Sequence, residues 1–344
     1  MTPKYFSKID TVNKNIIPII IDLVELIKKI DGIKGILLAG STSRGEESYL
    51  IKDEQQFLLS DIETIVVIEK LFGENNRLRD CFEFINSKYG YLFYNKKPKL
   101  EFSTKYLYQI KYADRRFYNF ELKFSGLQLF GDKDYLKMIP LINISNLNYA
   151  ELNTILIHRL ISVANNLLNE INILARRYTI CRNLLDIPTI ILPYEGHLLC
   201  GYKKRIESLV KIKNSKLFNH YFNFEEFKCL MEYCLGIKKN PSLIDFNYDE
   251  HIMIKSLMEY FALTKRYLEH INKGRCFCLD KRGIIRAIIK KSYKLLLKEL
   301  LKPKYLEMLY GQLEEILYKI SKRGDASYLE KEIAYVNSIY ENLF

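Results

Sequence analysis

The spacing of hydrophobic residues predicts both helices and strands in the first 140 residues. Apolar residues recur at helical spacing over 15–30, and Asp31 with Gly32 then interrupts the pattern. Continuous and alternating apolar runs follow, as expected for buried and half-buried strands. The predicted elements are helices over 15–30 and 74–87, and strands over 35–39, 61–69, 99–107 and 116–123. Together they predict a mixed sheet with helices packed on it.

The pattern changes after Pro140. Leu and Ile residues now recur at three and four positions along extended stretches, which predicts a helical bundle. The predicted helices cover 148–172, 196–212, 248–272, 281–300 and 303–322. The chain is therefore predicted to have an α+β fold with two domains, a mixed-sheet domain over 1–140 and an all-helical domain over 141–344.

The composition is typical of a globular protein without a membrane segment. The chain has 344 residues with an apolar share of 48%, which is enough to build two cores. The most apolar segment, Ile16 to Ile27, contains Pro18, Asp22 and Glu25, and the N-terminus lacks the order of a signal peptide. Seven cysteines without regular spacing indicate reduced thiols. We therefore expect a cytoplasmic protein with no membrane partner.

The net charge of +12 and a pI of about 9.1 indicate an anionic partner. A nucleoside triphosphate and a nucleic acid both satisfy this condition. The Lys and Arg residues are spread along the chain in short clusters on predicted helix faces, such as Lys203-Lys204-Arg205. Such clusters are typical of solvated helix surfaces, so nucleic acid is the less favoured partner.

Two polar segments adjoin predicted core strands. Gly40-Ser41-Thr42-Ser43-Arg44-Gly45 follows the strand at 35–39, and Ser60-Asp61-Ile62-Glu63 opens the strand at 61–69. Small residues in a turn allow backbone N–H groups to approach a phosphate chain. Two acids at i and i+2 on a strand share a face and can bind Mg²⁺ together with substrate phosphates. A Walker A loop is excluded because Glu46 and Glu47 follow Gly45 where Lys and Ser or Thr are required.

These two segments resemble the nucleotidyltransferases of the DNA polymerase β-like superfamily, whose pattern is Gly-Ser, a short gap, Gly, and then Asp-x-Asp or Asp-x-Glu. Gly40-Ser41, Gly45, Asp61 and Glu63 fill that pattern. The resemblance covers about the first 140 residues and is closest to aminoglycoside nucleotidyltransferase-like members with a C-terminal helical domain. Two departures are a longer connector over 46–60, expected to be an insertion or an extra helical turn, and Glu63 where many members have Asp.

The resemblance implies a third carboxylate on a later strand. Glu101 is preferred, because the third acid of the family lies in a similar Leu-Glu-apolar context. Leu100 and Phe102 on either side would face the core and leave Glu101 on the opposite face. Glu121, in the strand predicted over 116–123, is the competitor. Asp132 is expected to cap the next helix. The resemblance then assigns Asp61, Glu63 and Glu101 to catalysis and to two Mg²⁺ ions, and it assigns the nucleotide phosphates to Gly40, Ser41, Arg44 and Gly45.

The activity implied is an ATP-preferring nucleotidyl transfer to a hydroxyl group of a small-molecule or sugar acceptor, with release of pyrophosphate. Transfer to RNA or to a protein hydroxyl is the first alternative, and a non-catalytic nucleotide-binding module is the second. Basic residues that the helical domain could turn toward the nucleotide are Arg176, Arg177, Arg182 and those of the segment Tyr194 to Arg205.

Overall fold

The computed structural model describes residues 16–52, 55–69, 75–94, 100–170, 172–242, 249–273, 307–319, 333–334 and 336–338. They divide into two compact units. The first unit holds the described residues up to Leu147 together with Leu199–Lys204 and Lys239–Ser242, and the second unit holds the others. The helix predicted over 281–300 lies outside the described residues.

The first unit contains both strands and helices. Its strands are β1 (Ile33–Ala39), β2 (Tyr49–Lys52), β3 (Gln55–Leu58), β4 (Ile62–Ile68), β5 (Leu100–Tyr106) and β6 (Leu127–Gly131). Its helices are α1 (Ile17–Ile27), α2 (Gly40–Ser43), α3 (Asn75–Tyr89), α4 (Leu107–Lys111), α5 (Phe117–Ser125) and α6 (Tyr135–Met138). Pro18 lies in the first turn of α1, where a proline ring fits without loss of a helical hydrogen bond.

Four of these strands form a mixed sheet in the order β5-β4-β1-β6. β1 is antiparallel to β4 and β6, and β4 is parallel to β5. Both faces of the sheet are covered: Leu38 and Val66 pack in a core with α1 and α3, whereas Leu37 and Val67 pack in a core with α5 and α6. This two-sided burial explains why β1 and β4 are nearly continuous apolar runs. The predicted mixture of helices with a mixed sheet is confirmed.

The strand predicted over 116–123 is wrong, because this segment forms helix α5. Phe117 and Phe120 are three residues apart and both are buried, which fits the helical period. The alternation of Phe120, Glu121, Leu122 and Lys123 had indicated a strand. The Phe120 N–H donates to the Arg116 carbonyl at 3.1 Å, which closes the first helical turn. Gly126 ends the helix before β6, a strand that the sequence analysis did not predict.

The described residues of the connector over 46–60 form a β-hairpin, so the alternative of an extra helical turn is wrong. β2 and β3 pair antiparallel, with Tyr49 opposite Leu58. Leu50 is fully buried, and Ser242 binds both the N–H and the carbonyl of Ile51 through its hydroxyl group, at 3.0 and 3.1 Å. The hairpin therefore belongs to the packed structure of the first unit.

The capping role predicted for Asp132 is filled by Asp134, whose side chain accepts the Lys137 N–H at 3.0 Å at the start of α6. Asp132 instead accepts a hydrogen bond from the hydroxyl group of buried Tyr135 at 2.7 Å. The carboxylate two residues closer to the helix is the one that reaches the free N–H groups of its first turn.

Every described element of the second unit is helical. The predicted helix over 196–212 is reduced to a short α-helix followed by a 3₁₀ turn over Ser208–Ile212. Pro188 lies in the first turn of α9, and Pro193 lies near its end. The remaining helices are α7 (Tyr149–Asn169), α8 (Ile173–Leu184), α9 (Ile187–Tyr194), α10 (Tyr202–Glu207), α11 (Lys216–Tyr221), α12 (Phe224–Lys239) and α13 (Glu250–Ile271). Residues 307–319 are also helical.

None of the helices in the described ranges combines the length and the apolar character that crossing a bilayer requires.

Candidate functional site

The predicted phosphate turn forms one helical turn at the end of β1. Gly40 begins it with φ of +71°, a left-handed conformation that favours glycine. The Ser43 hydroxyl donates to the Gly40 carbonyl at 2.9 Å. The Thr42 hydroxyl donates to the Asp61 carbonyl at 3.1 Å. The turn is therefore tied to the residue that immediately precedes β4.

Gly40 also lies against one of the predicted metal ligands. A Cβ atom added to Gly40 would stand 2.8 Å from Oε1 of Glu63, closer than any real Cβ contact. The reason lies in the sheet register, since Ala39 at the end of β1 is the partner of Glu63 on β4. The sheet thus places the small-residue turn and the Glu63 carboxylate next to each other.

Glu101 lies on the strand beside Glu63. The two residues are register partners in the parallel pair of β4 and β5. Leu100 and Phe102 pack against the core that contains α1 and α3, so Glu101 points to the other face, as does Glu63. Glu63 is half-buried and Glu101 is exposed. Asp61 is half-buried and lies just before the first residue of β4.

The donor set of this face fits magnesium. Carboxylate oxygens are the ligands that Mg²⁺ prefers, and it binds through one or two carboxylates plus substrate phosphates while it keeps several waters. Glu63 and Glu101 supply such oxygens on adjacent strands, and Gly40 leaves room beside Glu63. Within the described ranges, no three His, Cys, Asp or Glu side chains are gathered in a metal-binding arrangement. A complete cage of protein ligands is not what this ion requires.

Arg44, the predicted phosphate-binding cation, makes ion pairs with two carboxylates. Its Nε atom lies 2.9 Å from Oε2 of Glu46, and its Nη1 atom lies 3.5 Å from Oε1 of Glu121. Only 11% of the Arg44 side chain is exposed. Burial acts to lower the pKa of Arg44, but the charges of Glu121 and Glu46 outweigh burial and raise that pKa above its usual value.

The same two carboxylates hold a segment from further along the chain. Glu46 accepts the Lys203 N–H at 3.2 Å, and Glu121 accepts the Gly201 N–H at 3.4 Å. A Cβ atom at Gly201 would lie 2.7 Å from Oε1 of Glu46, and the φ of Gly201 is +82°. Glu121, the competitor for the third carboxylate, therefore lies on a helix and binds Arg44 and this segment.

Arg176 and Arg177, two other basic residues that the sequence analysis considered, have partners within the second unit. Arg176 lies 3.3 Å from the Glu250 carboxylate and donates to the Leu167 carbonyl at 2.7 Å. Arg177 is buried and donates to the Tyr233 hydroxyl at 3.1 Å. Arg182 lies in the last turn of α8.

Two further residues border this face and were not predicted. Tyr118 on α5 has its pKa raised, first by burial and then by the negative charges of Glu63 and Glu121. The Lys105 ammonium lies 5.4 Å from the centre of the Tyr118 ring. The alternation that assigns Glu101 to one face of β5 also assigns Ser103 and Lys105 to it, and this signal was available in the sequence.

Comparison with protein-family models and with curated protein sequences yielded no match to this chain. A functional assignment consequently depends on the residues and on their arrangement.

Proposed function

We propose that this chain is a magnesium-dependent nucleotidyltransferase that moves NMP from an NTP, with ATP preferred, to a hydroxyl group of a small-molecule or sugar acceptor. The observation that supports this most directly is the position of Glu63. Its carboxylate adjoins Gly40 of the small-residue turn, and its register partner on the next strand is a second carboxylate, Glu101. The order of Gly40-Ser41, Gly45, Asp61 and Glu63 along the chain resembles the polymerase β-like pattern.

The turn would bind the phosphates of the nucleotide. Backbone N–H groups over Gly40 to Gly45, with the Ser41 hydroxyl group, are the donors we assign to the β- and γ-phosphates. Arg44 adds a positive charge beside the turn while its hydrogen bond and ion pair hold Glu46 and Glu121. A nearby charge acts on a phosphate without direct contact, and this effect is larger where water is excluded.

The carboxylates of Asp61, Glu63 and Glu101 would hold magnesium. Held by these residues, magnesium would supply the charge that polarises the α-phosphate, stabilises the pyrophosphate leaving group and lowers the pKa of the attacking hydroxyl group. Glu101 is the most exposed of the three residues, so it is also the group best placed to accept the proton of an incoming hydroxyl. We assign the chemistry to the domain over 1–140.

The experiment is incubation of the protein with each α-labelled NTP, Mg²⁺ and a metabolite extract, followed by mass spectrometry. The expected result is an acceptor whose mass has grown by one NMP, with an equal yield of pyrophosphate. Asp61→Asn should abolish transfer. Asp31→Asn is the matched control, since Asp31 is exposed and its contact with the Gly32 N–H is retained by asparagine.

The destination of the label separates the alternatives. Label in the RNA or protein fraction would replace the small acceptor by a macromolecule. Binding of NTP without pyrophosphate release in any extract would support a nucleotide-binding module instead of an enzyme. Neither binding nor turnover with any NTP would overturn the proposal.

A further inference from the structure

Lys105 lies on the same face of β5 as Glu101. Leu100 and Phe102 pack in the core on the opposite face, so the side chains at 101, 103 and 105 share the face of the candidate site. The register partner of Lys105 is Val67, whose side chain belongs to the core beneath α5. Lys105 lies four positions after Glu101 along the strand, a span of about 13 Å.

The contacts of the Lys105 ammonium group are with uncharged groups. Its Nζ atom donates to Oδ1 of Asn119 at 3.2 Å and lies over the ring of Tyr118. The nearby carboxylate of Asp114 is engaged elsewhere, by Arg116 at 2.7 Å and by the Asn119 side-chain amide at 2.8 Å. Among the described residues, Lys105 makes no ion pair within 4 Å.

This situation is unfavourable for a half-buried cation. Burial lowers the pKa of Lys105, the negative charge of Asp114 opposes that effect, and the positive charge of Arg116 adds to it. Arg44, the other buried cation near the site, has two carboxylates against its guanidinium group. A charge removed from water is normally paired, so a half-buried cation whose direct contacts are all uncharged, beside a candidate active site, indicates a missing anionic partner.

We propose that Lys105 binds an anionic group of the acceptor, a carboxylate or a phosphate, on the strand face that carries Glu101. This inference rests on the proposed nucleotidyl transfer, and it specifies the acceptor class as a hydroxyl compound with a negative charge. The acceptor hydroxyl lies at Glu63 and Glu101, and the anion lies at Lys105. Exposed Ser103 lies between these two positions and offers a hydroxyl group for a further hydrogen bond. A polycationic acceptor would be repelled by Lys105.

The test uses anions without nucleotide or metal. Thermal melts of the full chain are recorded in sodium phosphate and in sodium acetate against sodium chloride of equal ionic strength. We expect phosphate or acetate to raise the melting temperature of the wild type, and the more effective anion identifies the preferred group. Lys105→Met should lose this shift, whereas Lys105→Arg, which keeps the charge, should retain it.

Lys111→Met is the matched control. Lys111 also lies over a tyrosine ring, at 5.6 Å from the centre of Tyr112, and it is exposed on α4. The two variants therefore lose the same charge and a similar ring contact. The expected result is a tenfold or greater weakening of anion affinity in Lys105→Met alone. An equal anion response in Lys105→Met and Lys111→Met, or no response of the wild type to either anion, would overturn the proposal.

Failure of the proposed function has a different signature. Asp61→Asn removes transfer but leaves the anion response, because Asp61 is not in contact with the Lys105 ammonium group. If the wild type transfers no nucleotide but Lys105 still governs anion binding, the anion site is retained and the enzymatic assignment fails. If transfer occurs and the KM for the acceptor is unchanged in Lys105→Met, the assignment of Lys105 fails and the enzymatic assignment is retained.

Discussion

Glu63 on β4 and Glu101 on β5 are register partners in a parallel pair, and their carboxylates leave the same face of the sheet. Two like charges that are directly opposed on neighbouring strands repel each other. A divalent cation between them removes this repulsion and adds favourable contacts to both. We therefore expect a divalent cation to stabilise the first unit even before any nucleotide is bound.

The first prediction concerns this dependence. Mg²⁺ should raise the melting temperature of the wild type and should raise that of Glu101→Gln less, since the variant has lost one ligand and the repulsion. The measurement is a thermal melt of each protein with and without Mg²⁺. The control is Glu69→Gln: Glu69 lies just after β4 and pairs with Lys34 at 2.8 Å, outside the candidate site.

Glu121 supplies a second comparison for the same experiment. Because Glu121 binds Arg44 and the Gly201 N–H, Glu121→Gln should lower stability without changing the shift caused by Mg²⁺. If Mg²⁺ raises the melting temperature equally in the wild type and in Glu101→Gln but less in Glu121→Gln, then Glu121 and not Glu101 is the third carboxylate.

The second prediction concerns Gly40. Gly40→Ala places a Cβ atom 2.8 Å from Oε1 of Glu63 and also forces alanine to adopt a φ of +71°. The left-handed backbone alone costs about 1–2 kcal/mol. The contact is with the end of a flexible side chain, so its main effect is to displace the carboxylate that we assign to magnesium. ATP affinity, measured by calorimetry, should fall at least tenfold.

Gly196→Ala separates the two effects. Gly196 has a φ of +86°, and nothing lies within 4 Å of the position its Cβ would take. This control therefore carries the backbone strain without the collision. If Gly40→Ala and Gly196→Ala lose equal free energy of unfolding and both bind ATP like the wild type, the close approach of Gly40 to Glu63 has no functional role.

Local signals in the sequence predicted the part of the site that the sheet forms. β1 and β4 are long apolar runs because both faces of the sheet are covered, and the apolar residues Leu100 and Phe102 placed Glu101 on the opposite face. The segment over 116–123 was assigned wrongly, because the buried residues Phe120 and Leu122 alternate with polar ones as in a strand, whereas Phe117 and Phe120 have helical spacing.

Local sequence patterns do not predict contacts between residues that are far apart along the chain. Glu46 and Lys203 are 157 residues apart, and no spacing rule relates them. The ion pairs of Arg44 with Glu46 and Glu121 could not be predicted for the same reason, since the pair with Glu121 depends on where α5 packs. The lack of a carboxylate partner for Lys105 likewise becomes visible only when Asp114 is seen to bind Arg116 and Asn119.

The third prediction concerns Arg44. Arg44→Met leaves the carboxylates of Glu46 and Glu121 without their cation, and we expect a loss of about 2–4 kcal/mol of unfolding free energy, since these groups are largely buried. The N–H groups of Gly201 and Lys203 should exchange with solvent faster, because the carboxylates that accept from them are no longer held in place. Hydrogen exchange of the nucleotide-free protein measures this directly.

Arg116→Met is the control for this change. Arg116 pairs with Asp114 at 2.7 Å, but 40% of its side chain is exposed, so the expected loss is below about 1 kcal/mol. Unchanged exchange at Gly201 and Lys203 in a folded Arg44→Met protein would show that the two carboxylates hold this segment without help from Arg44.

The fourth prediction concerns Tyr118 and alkaline pH. Burial and the charges of Glu63 and Glu121 raise the pKa of Tyr118 in the folded protein. Between the ordinary tyrosine pKa of about 10 and the higher folded value, the folded state binds more protons than the unfolded state. Stability that is fully present below pH 10 is therefore lost as the pH rises further. Tyr118→Phe should lose less stability above pH 10 than the wild type does, as measured by denaturant unfolding at a series of pH values.

Tyr112→Phe, at a side chain that is 72% exposed, is the matched control and should follow the wild type. Glu63→Gln removes one of the negative charges and should bring the pKa of Tyr118 closer to 10. If the free energy of unfolding of Glu63→Gln above pH 10 falls as it does in the wild type, Tyr118 is too far from the Glu63 carboxylate to belong to the candidate site.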